Sequence, residues 1–259
     1  MEIVAADWVA DRRDGLAVVD VRDPWEYDGI GHLPGAVNVP FDRYRGDQGE
    51  AGKLPGADAF AALAGEAGLT ADGDVLAYDD THGVFAARFL VTCELYGHDP
   101  DRLYLLDGDY SAWTRERPAA TDSPEPAPTE YRASFVGVGN GPLVGIEAVR
   151  AAMDDPEAVL VDTREEWEYE EGHIPGAVRL DWRELVDEES RGIRPEPELR
   201  ALLEERGVTP DRRVVLYCNT ARRISHTYVV LRHLGYPDVA FYEGSLTEWE
   251  AEGGTVESA

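Results

Sequence analysis

Two stretches of this chain are near-copies of each other. DVRDPWEYDGIGHLPGA runs from Asp20 to Ala36, and DTREEWEYEEGHIPGA runs from Asp162 to Ala177. Asp20 matches Asp162, Arg22 matches Arg164, Trp25 matches Trp167 and His32 matches His173, with a one-residue gap before the shared Pro-Gly-Ala. Further on, VLAYDD (Val75 to Asp80) matches VVLYCN (Val214 to Asn219), and Trp113 falls opposite Trp249. The copies lie about 140 residues apart, far beyond the 20–50-residue periods of solenoids, so the pattern predicts a duplicated domain.

Between the copies, the segment after Arg117 carries four prolines from Pro118 to Pro128 and has neither helical nor strand periodicity. It reads as a semi-rigid linker over residues 119–139, separating domains at 1–118 and 140–259. Inside each copy, short β-branched runs such as LAVVDV, VLAYD, VLVDT and VVLYC alternate with longer amphipathic stretches such as FAARFLVTCELYG and SHTYVVLRHLGY. Runs that are apolar throughout suit strands buried on both faces. Each domain is therefore expected to be α/β, a parallel sheet with helices on both faces. Ligands of such sheets bind beyond the carboxyl ends of the strands, which directs attention to the residues just after each run.

Composition narrows the function. The chain has 259 residues with 52 Asp and Glu against 24 Lys and Arg, a formal charge of −28. A nucleic-acid partner, which needs a basic face, is excluded. Lys53 is the single lysine, and the acids are spread along the whole chain. Dispersed acid with almost no lysine fits a protein adapted to molar salt, where a Debye length of ~3 Å at 1 M screens self-repulsion. An ordinary acidic protein from a GC-rich gene fits the same counts. Two cysteines, Cys93 and Cys218, with no CxxC pair cannot form a disulfide framework or a four-thiolate metal site. No spaced His, Asp and Glu set calls for a metal, and no cofactor is expected. With no basic start followed by an apolar stretch, and no run of ~18 apolar residues, the expected location is cytoplasmic, away from membranes.

Cys218 directly follows the run Val214 to Tyr217, and CNTARRIS then leads into the helix expected around His226 to Leu234. A thiol at that place faces loop amides and a helix N-terminus, with Arg222 and Arg223 alongside. A thiol of pKa ~8.5 is a few per cent thiolate at pH 7, and lowering it by about two units takes ~2.7 kcal/mol of preferential anion stabilisation. Cys218 is the candidate nucleophile. A buried packing cysteine is the alternative, but a position just past a strand and before polar and basic residues suits a core poorly. Cys93 falls on the core face of its helix, opposite Leu231, and is expected to be packing.

The paired segments, the strand-end Tyr-Cys with its loop, and the closing segments Gly108–Trp113 and Gly244–Trp249 together resemble the rhodanese family of sulfurtransferases, in its two-domain form, over nearly the whole chain. The resemblance implies two tandem rhodanese-like domains, the second catalytic. The first is inactive, since Asp79 stands at the place of Cys218 and cannot carry sulfane sulfur. It implies that Cys218 takes sulfur from a small anionic donor, thiosulfate or 3-mercaptopyruvate, and passes it as a persulfide to cyanide or a thiol acceptor. By position, the amides of Asn219, Thr220, Ala221, Arg222 and Arg223 would hold the persulfide, and the two arginines would bind the donor's oxygens. The first domain is expected to complete the wall of the binding cleft.

Three departures from the family bear on the donor. Thr220 stands where the vertebrate thiosulfate enzymes carry lysine. The loop Asn-Thr-Ala-Arg-Arg is not the Gly-Ser-Gly-Val-Thr of mercaptopyruvate enzymes. Glu168 replaces a substrate-contacting arginine of two-domain members, and an acid there cannot bind a carboxylate or sulfonate. The two loop arginines favour thiosulfate. Asp162 and Arg164 recur as Asp20 and Arg22 where no chemistry occurs, so they read as structural, as does His173, which like His32 sits in a Gly-His-x-Pro-Gly-Ala turn. His226 is expected to be exposed or capping. A cysteine phosphatase needs Cys-x-x-x-x-x-Arg, but here the seventh residue is Ile224, and an arsenate reductase meets the same objection. A persulfide carrier or binding module without turnover needs the same loop and stays open.

Overall fold

The apolar runs become the central strands of two parallel sheets. The computed structural model describes residues 1–12, 15–46, 54–122, 124–219 and 221–258. The chain divides into two units, Met1–Val136 with Asp187–Ile193, and Gly137–Val186 with Arg194–Ala259.

The first unit runs β1 (Glu2–Val4), α1 (Ala6–Asp11), β2 (Leu16–Asp20), α2 (Pro24–Ile30), β3 (Val37–Asn38), α3 (Ala57–Glu66), β4 (Asp74–Tyr78), α4 (Val84–Leu95), β5 (Leu103–Leu106) and α5 (Tyr110–Glu116). The second repeats the order as β6 (Leu143–Val144), α6 (Ile146–Asp154), β7 (Ala158–Asp162), α7 (Glu166–Glu171), β8 (Val178–Arg179), α8 (Glu196–Glu205), β9 (Arg213–Tyr217), α9 (Ala221–His233), β10 (Val239–Tyr242) and α10 (Ser245–Ala251). The sheet orders are β1-β5-β4-β2-β3 and β6-β10-β9-β7-β8, with every pairing parallel. Each unit is thus the expected α/β fold, with the strand that leads into the candidate loop, β4 or β9, in the middle.

Local sequence explains the entry to the site. After β2 and β7 the chain turns into α2 and α7 through capping boxes, Asp23 with Glu26 and Glu165 with Glu168. These reciprocal side-chain bonds satisfy helix N–H groups that have no partner within the helix. Both helices end where the next turn begins, α2 at Gly31 with φ 106°. A Cβ on Gly31 would lie 2.8 Å from the Ala120 carbonyl, so glycine is needed there on two counts. The cores match across the copies: Tyr78 and Trp113 in the first unit, Tyr217 and Trp249 in the second.

The proline-rich stretch runs along the first unit. Ala120 pairs with His32 in an antiparallel bridge, the Thr129 amide donates to Gly65 O at 3.0 Å, and buried Tyr131 contacts His98 and Phe60. The same unit includes Asp187–Ile193, where Arg191 donates from Nε to both oxygens of Asp109 at 2.8 Å and from Nη2 to the Asp80 carbonyl at 3.1 Å. The next residue, Gly192, has no room for a side chain, since a Cβ would lie 2.2 Å from Asp107 Oδ1. Among the described residues, no helix is long and apolar enough to cross a membrane.

Candidate active site

Cys218 lies one residue beyond β9, the central strand, because the valine-rich run Val214–Tyr217 ends there and the chain must turn to reach α9. Its amide meets Ser245 Oγ at 3.4 Å, and its carbonyl accepts the Leu246 amide at 3.3 Å. The start of α10 thereby holds the cysteine backbone. Ser245 has φ 56°, is buried, and donates its hydroxyl to the Tyr242 carbonyl at 3.1 Å. Sequence reasoning misses Ser245. The signal for it is the Gly-to-Trp segment repeated in both copies, where Ser245 matches Asp109.

One expectation changes here. The position after the strand suits a core residue poorly on sequence grounds, yet Cys218 has 0% of its surface exposed. The reason is that β9, α9 and α10 converge at this point, so a residue at the end of the middle strand is enclosed by the two helices beside it. Cys93, as expected, is buried in α4, and burial pushes its thiol pKa up. Neither cysteine is in a disulfide.

Helix α9 begins at Ala221, earlier than the sequence pattern indicates, so Arg222 and Arg223 belong to its first turn. Thr220 lies outside the described residues. Arg223 Nη1 forms a short ion pair with Glu168 Oε2. Glu168 Oε1 accepts from Asn219 Nδ2 at 3.1 Å, while Oε2 also accepts the Glu165 amide at 3.1 Å. One buried carboxylate thus gathers the residue after Cys218, the arginine five positions after it, and the start of α7. His226 is not exposed: it is fully buried, with its ring edge-on to Trp182 at 5.3 Å. The cause is the short turn Trp182–Leu185, which packs against α9.

Asp162 and Arg164 form a closed pair. Arg164 Nε donates to Asp162 Oδ1 at 2.9 Å, and Nη2 donates to Oδ2 and to the Gly172 carbonyl, both at 2.6 Å. The first unit repeats this with Arg22, Asp20 and Gly31 at 3.0, 2.6 and 2.7 Å. Tyr217 backs the pair, accepting the Ile174 amide at 3.1 Å, and burial raises its phenol pKa. Arg164 thus ties the end of β7 to the turn after α7. His173 stacks on Tyr169 with ring centroids 3.8 Å apart, bonds the Tyr169 carbonyl through Nδ1 at 2.9 Å, and pairs its backbone with Glu257. These contacts of Asp162, Arg164 and His173 hold strand ends and turns.

The first copy shows what a loop of this kind does to an anion. Asp79 is buried, and its Oδ1 accepts the amides of Thr81 and Gly83 at 2.8 Å each. Its Oδ2 accepts those of Phe85 and Ala86 at 2.7 and 3.1 Å. Burial raises the carboxyl pKa, and the four N–H groups oppose that by stabilising the charged form. Amides converging at the end of a central parallel strand make an anion cradle without any basic side chain.

Comparison with known proteins agrees with this geometry. Residues 5–116 and 146–252 match the rhodanese-like domain family. A thiosulfate sulfurtransferase of Azotobacter vinelandii is 32% identical over 90% of this chain and 88% of its own. The sulfur carrier protein TtuD of Thermus thermophilus is 31% identical over 95% of this chain and 93% of its own. The crystal structure of SseA from Escherichia coli, described among 3-mercaptopyruvate sulfotransferases, superposes with a TM-score of 0.80 at 26% identity, covering 94% of this chain and 98% of that one. With both halves matched and the fold shared over 94% of its length, the chain belongs to the rhodanese family of sulfurtransferases.

Proposed function

We propose that this protein is a thiosulfate sulfurtransferase working through a persulfide on Cys218. The Cys218 thiolate attacks the outer sulfur of thiosulfate. The sulfur–sulfur bond of the donor breaks, and its electron pair leaves with sulfite. Cyanide or a thiolate then attacks the terminal sulfur of the persulfide, forming thiocyanate or a new persulfide and regenerating the thiolate. The observation that carries this reading is the position of Cys218 at the end of β9, where the other copy holds a carboxylate on four amides. A loop able to hold a carboxylate is suited to a thiolate and to the persulfide anion that replaces it. The Asn219–Arg223 amides would serve that purpose, with Arg222 and Arg223 nearest the donor. Thiosulfate is favoured over 3-mercaptopyruvate because two arginines, Arg222 and Arg223, follow Cys218 at the start of α9.

The name of the Thermus relative favours one further reading, a persulfide carrier that loads once and hands its sulfur to a partner protein. Intact mass decides the loading step. Incubation with thiosulfate is expected to add one sulfur atom to the protein, and cyanide is expected to remove it as thiocyanate. Many thiocyanates released per protein would support the enzyme, and a single one the carrier. A folded protein that takes up no sulfur would overturn both.

We also infer a cytoplasmic, high-salt setting. With a formal charge of −28, repulsion acts at low salt over a screening length of ~10 Å at 0.1 M and shrinks to ~3 Å at 1 M. The melting temperature is expected to rise by roughly 5–15 °C between 0.1 and 2 M KCl, a few kcal/mol of relieved repulsion. A flat response would favour the GC-rich-gene explanation of the composition.

A further inference from the structure

The inactive copy provides an internal control for Glu168. Its counterpart Glu26 also completes a capping box, accepting the Asp23 amide at 3.2 Å. Capping therefore accounts for a glutamate at this position in both copies. It does not account for the two extra contacts of Glu168, to Asn219 and to Arg223, which arise only beside Cys218. By the alignment that sets Gly97 against Gly235, the first copy has Phe85 at the place of Arg223, so a cation is also absent there. Among the described residues, the acid–base pair thus occurs in the copy with the cysteine and not in the other.

The charges have a direct consequence. Arg223 keeps 23% of its side chain exposed, so an incoming anion can reach it, but one face of its guanidinium is already committed to a carboxylate. Thiosulfate enters as a dianion, and sulfite leaves as one. A site with a fully available guanidinium would hold both more tightly. Binding substrate and product equally lowers KM without speeding turnover, and a retained product slows it.

We propose that Glu168 is a positioning residue that sets the anion affinity of the Cys218 loop: it partly cancels Arg223 and ties both ends of the loop, trading capture of the donor for release of sulfite. This rests on the sulfurtransferase reading above, and the test separates the two. Thiosulfate binding is measured by calorimetry in molar KCl on Cys218→Ser protein, where no sulfur can be transferred. Adding Glu168→Gln, which removes the charge and leaves one acceptor oxygen, for either Asn219 or the Glu165 amide but not both, is expected to tighten binding by about three- to tenfold, the range of one partly exposed charge-assisted contact. Glu168→Asp, which keeps the charge, is expected to stay near the parent. Arg223→Ala alone is expected to weaken binding, and Glu168→Gln with Arg223→Ala to lose the gain, because the effect passes through Arg223.

In protein retaining Cys218, Glu168→Gln is expected to lower KM for thiosulfate while kcat falls and inhibition by sulfite strengthens. A residue that only held the loop in shape would raise KM instead. Equal or weaker thiosulfate binding in the Glu168→Gln protein, including no measurable binding in either, overturns the proposal. Should Glu168→Gln fail to fold by circular dichroism, the Glu168→Asp and Arg223→Ala pair still decides: affinity unchanged by Arg223→Ala removes the cation through which Glu168 is proposed to act. A wild type that binds thiosulfate but takes up no sulfur would defeat the function and leave this inference standing.

Discussion

Cys218→Ser is expected to abolish sulfur uptake from thiosulfate and to lower thiocyanate production by at least ~10³-fold, because covalent catalysis without its nucleophile leaves only binding and electrostatics. Serine is nearly isosteric, and the backbone contacts of Cys218 to Ser245 and Leu246 do not involve the thiol. Uptake is read per folded molecule, because a hydroxyl buried in place of either thiol costs stability. Cys93→Ser is the matched control: it removes the other thiol, which is buried in α4. It should cost stability through a buried hydroxyl and leave sulfur uptake per folded molecule unchanged. Uptake that survives Cys218→Ser and disappears with Cys93→Ser would reverse the assignment.

The second large effect concerns stability. Asp162→Asn is expected to destabilise the second unit by about 3–5 kcal/mol, since removing one partner leaves the other charge buried without compensation. The melting temperature should fall by roughly 10–20 °C for a domain of this size. Arg164 would lose the carboxylate that takes its Nε and Nη2, and the tie through Nη2 to the Gly172 carbonyl would have to hold alone. Asp20→Asn should cost the first unit a similar amount, because Arg22 makes the same bonds at nearly the same lengths. Thermal unfolding with kcat measured well below the transition checks this. Loss of kcat at unchanged stability would mark Asp162 as a participant in the chemistry and refute the structural role.

Much of the architecture is legible because each copy repeats its own local rules. Valine-rich runs form β2, β4, β7 and β9, and the chain segments after them form helices. The edge strands β1, β3, β6 and β8 escape a sequence reading, being two or three residues long and too short for any periodicity to register. His226 departs from expectation for a different reason. Its helix looks amphipathic in isolation, but the Trp182–Leu185 turn packs on it at His226, and nothing near His226 in the chain announces that turn.

The division reflects the range of the forces involved. Duplication, the α/β class, the place of Cys218 after the central strand and the loss of that cysteine in the first copy are all written in residues close together in the chain, where strand and helix preferences act. The enclosure of Cys218, the capture of Arg223 and Asn219 by Glu168, and the attachment of Asp187–Ile193 to the first unit join residues about 30 to 110 positions apart. Their sequence neighbours carry no sign of them. Such contacts exist only once the sheet has set which loops meet at its carboxyl edge, and there packing and buried charge, not local preference, choose the partners.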